Sequence, residues 1–202
     1  MAFLITLPLL AAGAWLGDRH YERTAFDALL TEVEAIERQD VWEQYFTAAS
    51  CGGPLEEEPA SRVITERAPA IAGAAIELAD RLERGVDRVQ DVPIAPWHRE
   101  LELARDRIRD HERVWIEALR AEAGTLNELD GVTHRADQKR ILEPYAEWLE
   151  YRSISIEGTF LSAHAAFSAV VTSAAETDRE RVNVIFDSNA PDSWATCSGI
   201  DS

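Results

Sequence analysis

"IAGAAIELADRLERGVDRVQ", residues 71–90, carries the pattern from which the rest of the chain can be read. Ile71, Ala75, Leu78, Leu82, Val86 and Val89 recur at alternating spacings of three and four, and the charged side chains fall between them. That is an amphipathic helix with a stripe close to a coiled-coil seam. Ile64 and Ala68 extend the stripe backward, so the helix is predicted from about Ala60 to Gln90. Pro69 falls inside it and predicts a kink or a restart, because proline lacks the N–H of the helical ladder.

Working outward, "DVPIAP" (91–96) is a breaker-rich connector. A third helix follows from about Trp97 to Leu129, with Leu101, Ile108, Trp115, Leu119, Leu126 and Leu129 inward, and "ELDGVT" (128–133) turns the chain. Upstream, Asp18 to Ser50 places Phe26, Leu29, Leu30, Val33, Ile36, Val41, Tyr45 and Ala49 on one face, which reads as a single helix. Cys51-Gly52-Gly53-Pro54 stops it, since glycine suits the C′ position and proline cannot continue a helix. A fourth segment, Thr133 to about Glu176, is apolar at Leu142, Tyr145, Leu149, Ile156, Phe160, Phe167, Val171 and Ala174. There, Pro144 and "SISIEG" (153–158) leave open one kinked helix or two, and "VNVIF" (182–186) fits helix or strand. The expected fold is all-α: an antiparallel bundle of four to five long helices.

The first seventeen residues, "MAFLITLPLLAAGAWLG", contain no charged side chain, and dense charge begins at Asp18. As a helix, residues 2–17 reach roughly 24 Å at 1.5 Å per residue. A bilayer core is about 30 Å thick, and tilt or local thinning covers the difference. A cleaved signal peptide would use Ala12-Gly13-Ala14 but lacks the basic leading region, and a buried core helix has no use for so long an uncharged run. Residues 1–17 therefore read best as a transmembrane anchor (or uncleaved signal segment) contacting the lipid bilayer through 2–17, with Trp15, Arg19, Tyr21 and Arg23 at the membrane interface.

Residues 18–176 then form the helical domain, with 177–202 a C-terminal tail tied back to it. The chain has two cysteines in 202 residues, Cys51 in "AASCGGP" and Cys197 in "WATCSG", both in loop-like sequence. One disulfide between them is the expectation, and it places the domain on the extracytoplasmic side of the cell membrane as a single-pass protein. Arg19 and Arg23 after the apolar run weakly favour the opposite orientation. A net charge of −17 repels phosphate backbones, so nucleic acid is excluded as a partner.

Catalytic motifs are absent: there is no CxxC, no GxSxG and no glycine-rich phosphate loop. None of His20, His98, His111, His134 and His164 has a glutamate three residues before it, so the bundle di-metal signature fails, and no cofactor or metal is expected. His111 and His164 both fall on inner stripes and can meet in the core; core packing is the plainer reading. His98 and Glu102 are spaced for an ordinary surface pair. Of six tryptophans, Trp42, Trp97 and Trp194 lie at stripe edges or in the tail and are candidate partner contacts. The function these features suggest is a non-catalytic accessory or assembly subunit docking onto a larger membrane protein complex, such as a respiratory complex. The alternative is a helical module that binds a lipid or small hydrophobic ligand in a groove.

Overall fold

The computed structural model describes residues 3–49, 60–171 and 176–188. These are helical, with no strand among them: α1 (Phe3–Glu37), α2 (Gln39–Ala49), α3 (Ala60–Asp91), α4 (Arg99–Glu128), α5 (Arg135–Val171) and α6 (Glu176–Ser188). Residues 1–2, Cys51, Cys197 and Trp194 lie outside the described residues.

α3, α4 and α5 form the centre of a helical bundle, and polar pairs fix their directions. Arg105 near the start of α4 donates to the Val92 carbonyl just past the end of α3 at 3.2 Å. Further along α4, Arg120 bonds Glu83 at 2.7 Å, one turn or more back into α3. The two helices therefore run antiparallel. α4 and α5 do the same, since His111 meets Thr159 and Glu117 meets Arg152. α1 lies against α3, with Arg88 bonding Glu32 at 2.8 Å, and α6 closes the side between α1 and α5.

The stripe that opened the sequence reading is the core face of α3. Ala68, Ile71, Ala75, Leu78, Leu82, Val86 and Val89 are all buried. So are Leu101, Ile108, Trp115, Leu119, Leu126 and Leu129 of α4. Pro69 is exposed, so the carbonyl released by its missing N–H can face water and α3 continues as one helix.

One element differs from the sequence expectation, and two that the sequence left open are decided. The helix expected over 18–50 breaks at Arg38. There the guanidinium grips both oxygens of Asp40 at 2.9 and 2.8 Å, and the Val41 N–H donates to the Arg38 carbonyl at 2.9 Å in a tight turn. The break re-phases the stripe. Trp42 turns into the core at 3% exposure, its indole N–H donates to the Ile36 carbonyl at 3.2 Å, and its ring meets Trp115 edge-on at 5.3 Å. A helix end leaves its last carbonyls without partners, and Trp42 supplies one. Trp42 is thus a core residue, not an exposed partner contact.

α5 is continuous through "SISIEG". Ser153, Ser155 and Thr159 return their hydroxyl hydrogens to carbonyls of the preceding turn, which reconciles polar and β-branched residues with the helix. Among the described residues, α5 is also the one helix long and apolar enough to cross a membrane. Its inner face nonetheless belongs to the core through Phe160, Ala163, Phe167 and Val170. Lastly, "VNVIF" is helical. Val182, Ile185 and Phe186 of α6 are buried, so the start of the expected tail is part of the bundle.

Candidate functional site

In a bundle otherwise filled with aliphatic and aromatic groups, three ionisable side chains are buried: Glu37 at 8% exposure, His111 at 4% and Glu112 at 0%. Glu37 closes α1, one residue before the break at Arg38. His111 and Glu112 are consecutive on the inner face of α4. One ligand-type atom from each lies within 4.8 Å of the other two. Glu37 continues the buried stripe of α1, four residues after Val33 and seven after Leu30, and the helix ends directly beyond it.

Burial sets the protonation of this centre. Glu37 is pushed up to about 7, chiefly by loss of water, with a hydrogen bond to Glu112 pulling the other way. Glu112 is raised well above the usual carboxylate range by burial first and then by the neighbouring Glu37 charge. Two carboxyls side by side in a dry site cannot both ionise without a compensating cation. Neither oxygen of Glu112 meets a donor group among the described residues, so in the cation-free protein a proton lies between the pair.

His111 is held neutral. Burial lowers it to about 4, and a hydrogen bond to the Ile156 backbone raises it only in part. Its Nδ1 lies 3.0 Å from the Thr159 hydroxyl. That hydroxyl lies 2.9 Å from the Ser155 carbonyl and 3.0 Å from the Ile156 carbonyl, to which it gives its single hydrogen. With that hydrogen given to the backbone, the arrangement favours the tautomer in which Nδ1–H donates to the Thr159 oxygen and Nε2 keeps its lone pair. The ring also meets Phe160 edge-on at 5.6 Å.

The sequence allowed His111 and His164 to meet in the core, with separate core packing the plainer reading, and the structure keeps them apart. Instead His164 stacks on Phe186 at 5.0 Å, and Phe160 and Phe186 are themselves in contact at 5.4 Å. The two histidines flank one aromatic cluster, and no contact joins them among the described residues. Sequence reasoning had placed His111 inward but missed both glutamates. Glu112 was legible: it lies four residues after Ile108 and three before Trp115, a core position on the stripe. Glu37 was legible in the same way, four residues after Val33 and seven after Leu30 on the α1 stripe; what the spacing did not show is that the two carboxyls meet.

Several other expected site residues gather at one end of the bundle, where α1 leaves it. Trp15 is 59% exposed, with the Arg19 guanidinium 5.4 Å over its ring. Tyr21 stacks on His98 at 5.6 Å and donates to the Pro93 carbonyl at 3.1 Å. Trp97 is 69% exposed, and its indole donates to Asp18 at 2.9 Å. The same Asp18 oxygen is 3.1 Å from His98 Nε2, so His98 turns toward α1 rather than toward Glu102. Arg23 is exposed nearby on α1. These bonds tie the α3–α4 connector to α1 and make an aromatic collar around the point of exit.

A cleft of about 920 Å³ opens between the end of α4 and the first turns of α5. Val132, Ile141, Pro144, Tyr145 and Trp148 line its apolar side, and Glu128, His134, Asp137 and Arg140 its polar side. Beside it the Tyr45 hydroxyl donates to Glu122 at 2.6 Å, linking α2 to α4. Burial raises Glu122, and hydrogen bonds from Tyr45 and Tyr145 oppose the rise.

No family model matches the chain, and no curated protein or solved structure matches it. Fold and site define only a class: a helical bundle built around a buried carboxylate–histidine centre.

Proposed function

We propose that the chain is a non-catalytic, membrane-anchored accessory subunit that docks its helical domain onto a larger membrane protein complex. The outward face of α5 carries this reading. Tyr151, Ile154 and Leu161 are 70%, 66% and 56% exposed, and the exposed Gly158 and Ala165 continue their line. Those positions follow one another at spacings of three and four, the seam a second helix recognises. Glu157 is the only Asp, Glu, Lys or Arg from Ser153 to Val171, with His164 the one other ionisable side chain, in a protein of net charge −17. An uncharged helical strip on so acidic a surface is the feature of a covered face. The collar of Trp15, Tyr21 and Trp97 with Arg19 supports a membrane anchor in residues 1–17, because aromatic rings with a polar edge favour the headgroup level. A Cys51–Cys197 disulfide would put the domain on the extracytoplasmic side.

Extraction in mild detergent followed by affinity isolation of the full chain tests the reading. The expected result is co-purification with a larger membrane complex that is lost on Leu161→Glu or Ile154→Glu while helical circular dichroism is kept. Recovery of the wild type as a free monomer refutes it.

The cleft favours a second reading, a site for a lipid or small hydrophobic ligand against Ile141, Pro144, Tyr145 and Trp148. Native mass spectrometry before and after delipidation separates the two, since this reading requires a retained ligand whose loss follows Trp148→Ala.

A further inference from the structure

We propose that Glu37, His111 and Glu112 form a binding site for one first-row divalent transition-metal cation. The geometry comes first. The three candidate ligand atoms lie within 4.8 Å of one another. Ligand atoms at about 2.0–2.2 Å from a common zinc-type ion sit roughly 3–4.4 Å apart, so small side-chain rotations close the set around an ion. Chelation by two carboxylates and one imidazole is the hard-to-borderline donor mixture that suits zinc, cobalt, manganese or iron(II).

Two further observations point to a cation independently of that distance. Glu112 is fully buried, and neither of its carboxylate oxygens meets an N–H or hydroxyl donor among the described residues; its polar neighbour is the Glu37 carboxyl, a costly arrangement unless a proton or a metal takes the place of water. The imidazole is also prepared for ligation. In the favoured tautomer Thr159 accepts from Nδ1–H and is itself fixed by donating to the α5 backbone, so Nε2 is left as the lone-pair nitrogen. A ligating histidine usually has this kind of outer-shell partner, which sets its tautomer and ring orientation.

Charge balance completes the case. Two ionised carboxylates and a neutral imidazole sum to −2, which a divalent cation cancels within the dry core. The ligands come from two elements, the end of α1 and the middle of α4, so binding clamps α1 onto the bundle. Three protein ligands leave at least one coordination position for water.

The test uses the full chain, stripped with chelator and titrated with CoCl₂. The expected result is one Co²⁺ per chain with d–d bands of a low-symmetry site, displaced by Zn²⁺. Glu112→Gln, which keeps the side chain's volume, should abolish the bands, and Thr159→Val should weaken affinity about 10–100-fold. Surface carboxylates bind Co²⁺ weakly in a water-rich, nearly colourless environment and are shared by all variants. If Glu112→Gln loses its helical signal, Glu37→Gln replaces it with the same expectation. Wild type showing no bands, or the same bands and stoichiometry as the folded glutamine variant, overturns the proposal.

Discussion

Gly85 sits on α3 where α1 passes closest, and replacing it with alanine tests the α1–α3 contact that positions Glu37. The new Cβ would lie 2.5 Å from Ile36 Cγ1 and 2.8 Å from Ile36 Cδ1. Comfortable carbon contacts are about 3.5–4.0 Å, so roughly 1 Å of displacement is required. Ile36 is 2% exposed and has no open side to retreat into. Overpacking of this kind costs about 1–3 kcal/mol. Alanine returns about 1 kcal/mol of helix propensity relative to glycine. The balance for Gly85→Ala is a net loss of up to about 2 kcal/mol. In an Ile36→Ala background the same change fills space instead, so its sign should reverse, with a coupling energy of about 2 kcal/mol in the double-mutant cycle. Gly73 and Gly124 are the internal controls. Both are exposed helical glycines with nothing within 4 Å of an added Cβ, so alanine there should stabilise by about 0.5–1 kcal/mol. Urea unfolding followed by circular dichroism measures the five variants against wild type. If Gly85→Ala stabilises the protein as Gly73→Ala does, α1 does not approach α3 at this point and the placement of Glu37 fails with it.

In the chelator-stripped protein the carboxyl pair predicts an unusual pH response. Glu37 has a folded value of about 7 against 4.5 unfolded, so the native state holds the extra proton and its stabilisation is lost as pH rises through about 7. His111, lowered to about 4 from 6.5, acts oppositely, but only below pH 6.5. Between pH 6.5 and 8 the carboxyls act alone, and stability should fall by about 1–3 kcal/mol. Glu112→Gln should flatten that slope in urea titrations, whereas a wild-type stability rising over this window contradicts the buried pair. At α6, Arg181 bonds Glu34 at 2.7 and 2.9 Å and Asp27 at 2.6 Å, with its side chain 30% exposed. Solvent screening holds its worth to about 1 kcal/mol, so Arg181→Ala should loosen α6 and accelerate hydrogen exchange over residues 176–188 without unfolding the rest.

The stripes were legible because they depend on local spacing alone. In α3 and α4 every inward residue read from the sequence whose side chain is described is buried, Ile71 through Val89 and Leu101 through Leu129. What escaped the sequence depends on tertiary packing. The Arg38 break has no glycine or proline to announce it; it is held by an ion pair to Asp40 and by the indole of Trp42 reaching the Ile36 carbonyl. Without the break, Trp42 falls at a stripe edge and looks like a surface anchor. α6 was ambiguous because a short apolar run fits either period, and packing beside Phe160 and Phe167 decides for helix. His111 was placed inward, but its grouping with Glu37, Glu112 and Thr159 was not legible, since adjacency across helices is set by register rather than residue type.

The irregularities of the bundle are concentrated at one place. The break at Arg38, the glycine that admits Ile36, and the tryptophan that satisfies the end of α1 all act on residues 36–38, beside the point where the α1 stripe brings Glu37 to Glu112 and His111. A bundle selected only for stability would do better with an unbroken α1 and an aliphatic residue at 112, because buried ionisable groups are commonly replaced by apolar ones without loss. Local rules broken together around one set of ionisable side chains are the pattern of a site rather than of packing error. The same geometry explains how occupancy could reach the surface: Glu37 ends the helix that carries the aromatic collar, whereas His111 is held through Thr159 by the helix that carries the apolar strip. A cation drawing the three ligands together would therefore act on α1 and α5 at once, fixing the angle between the helix that carries the collar and the helix that carries the apolar strip.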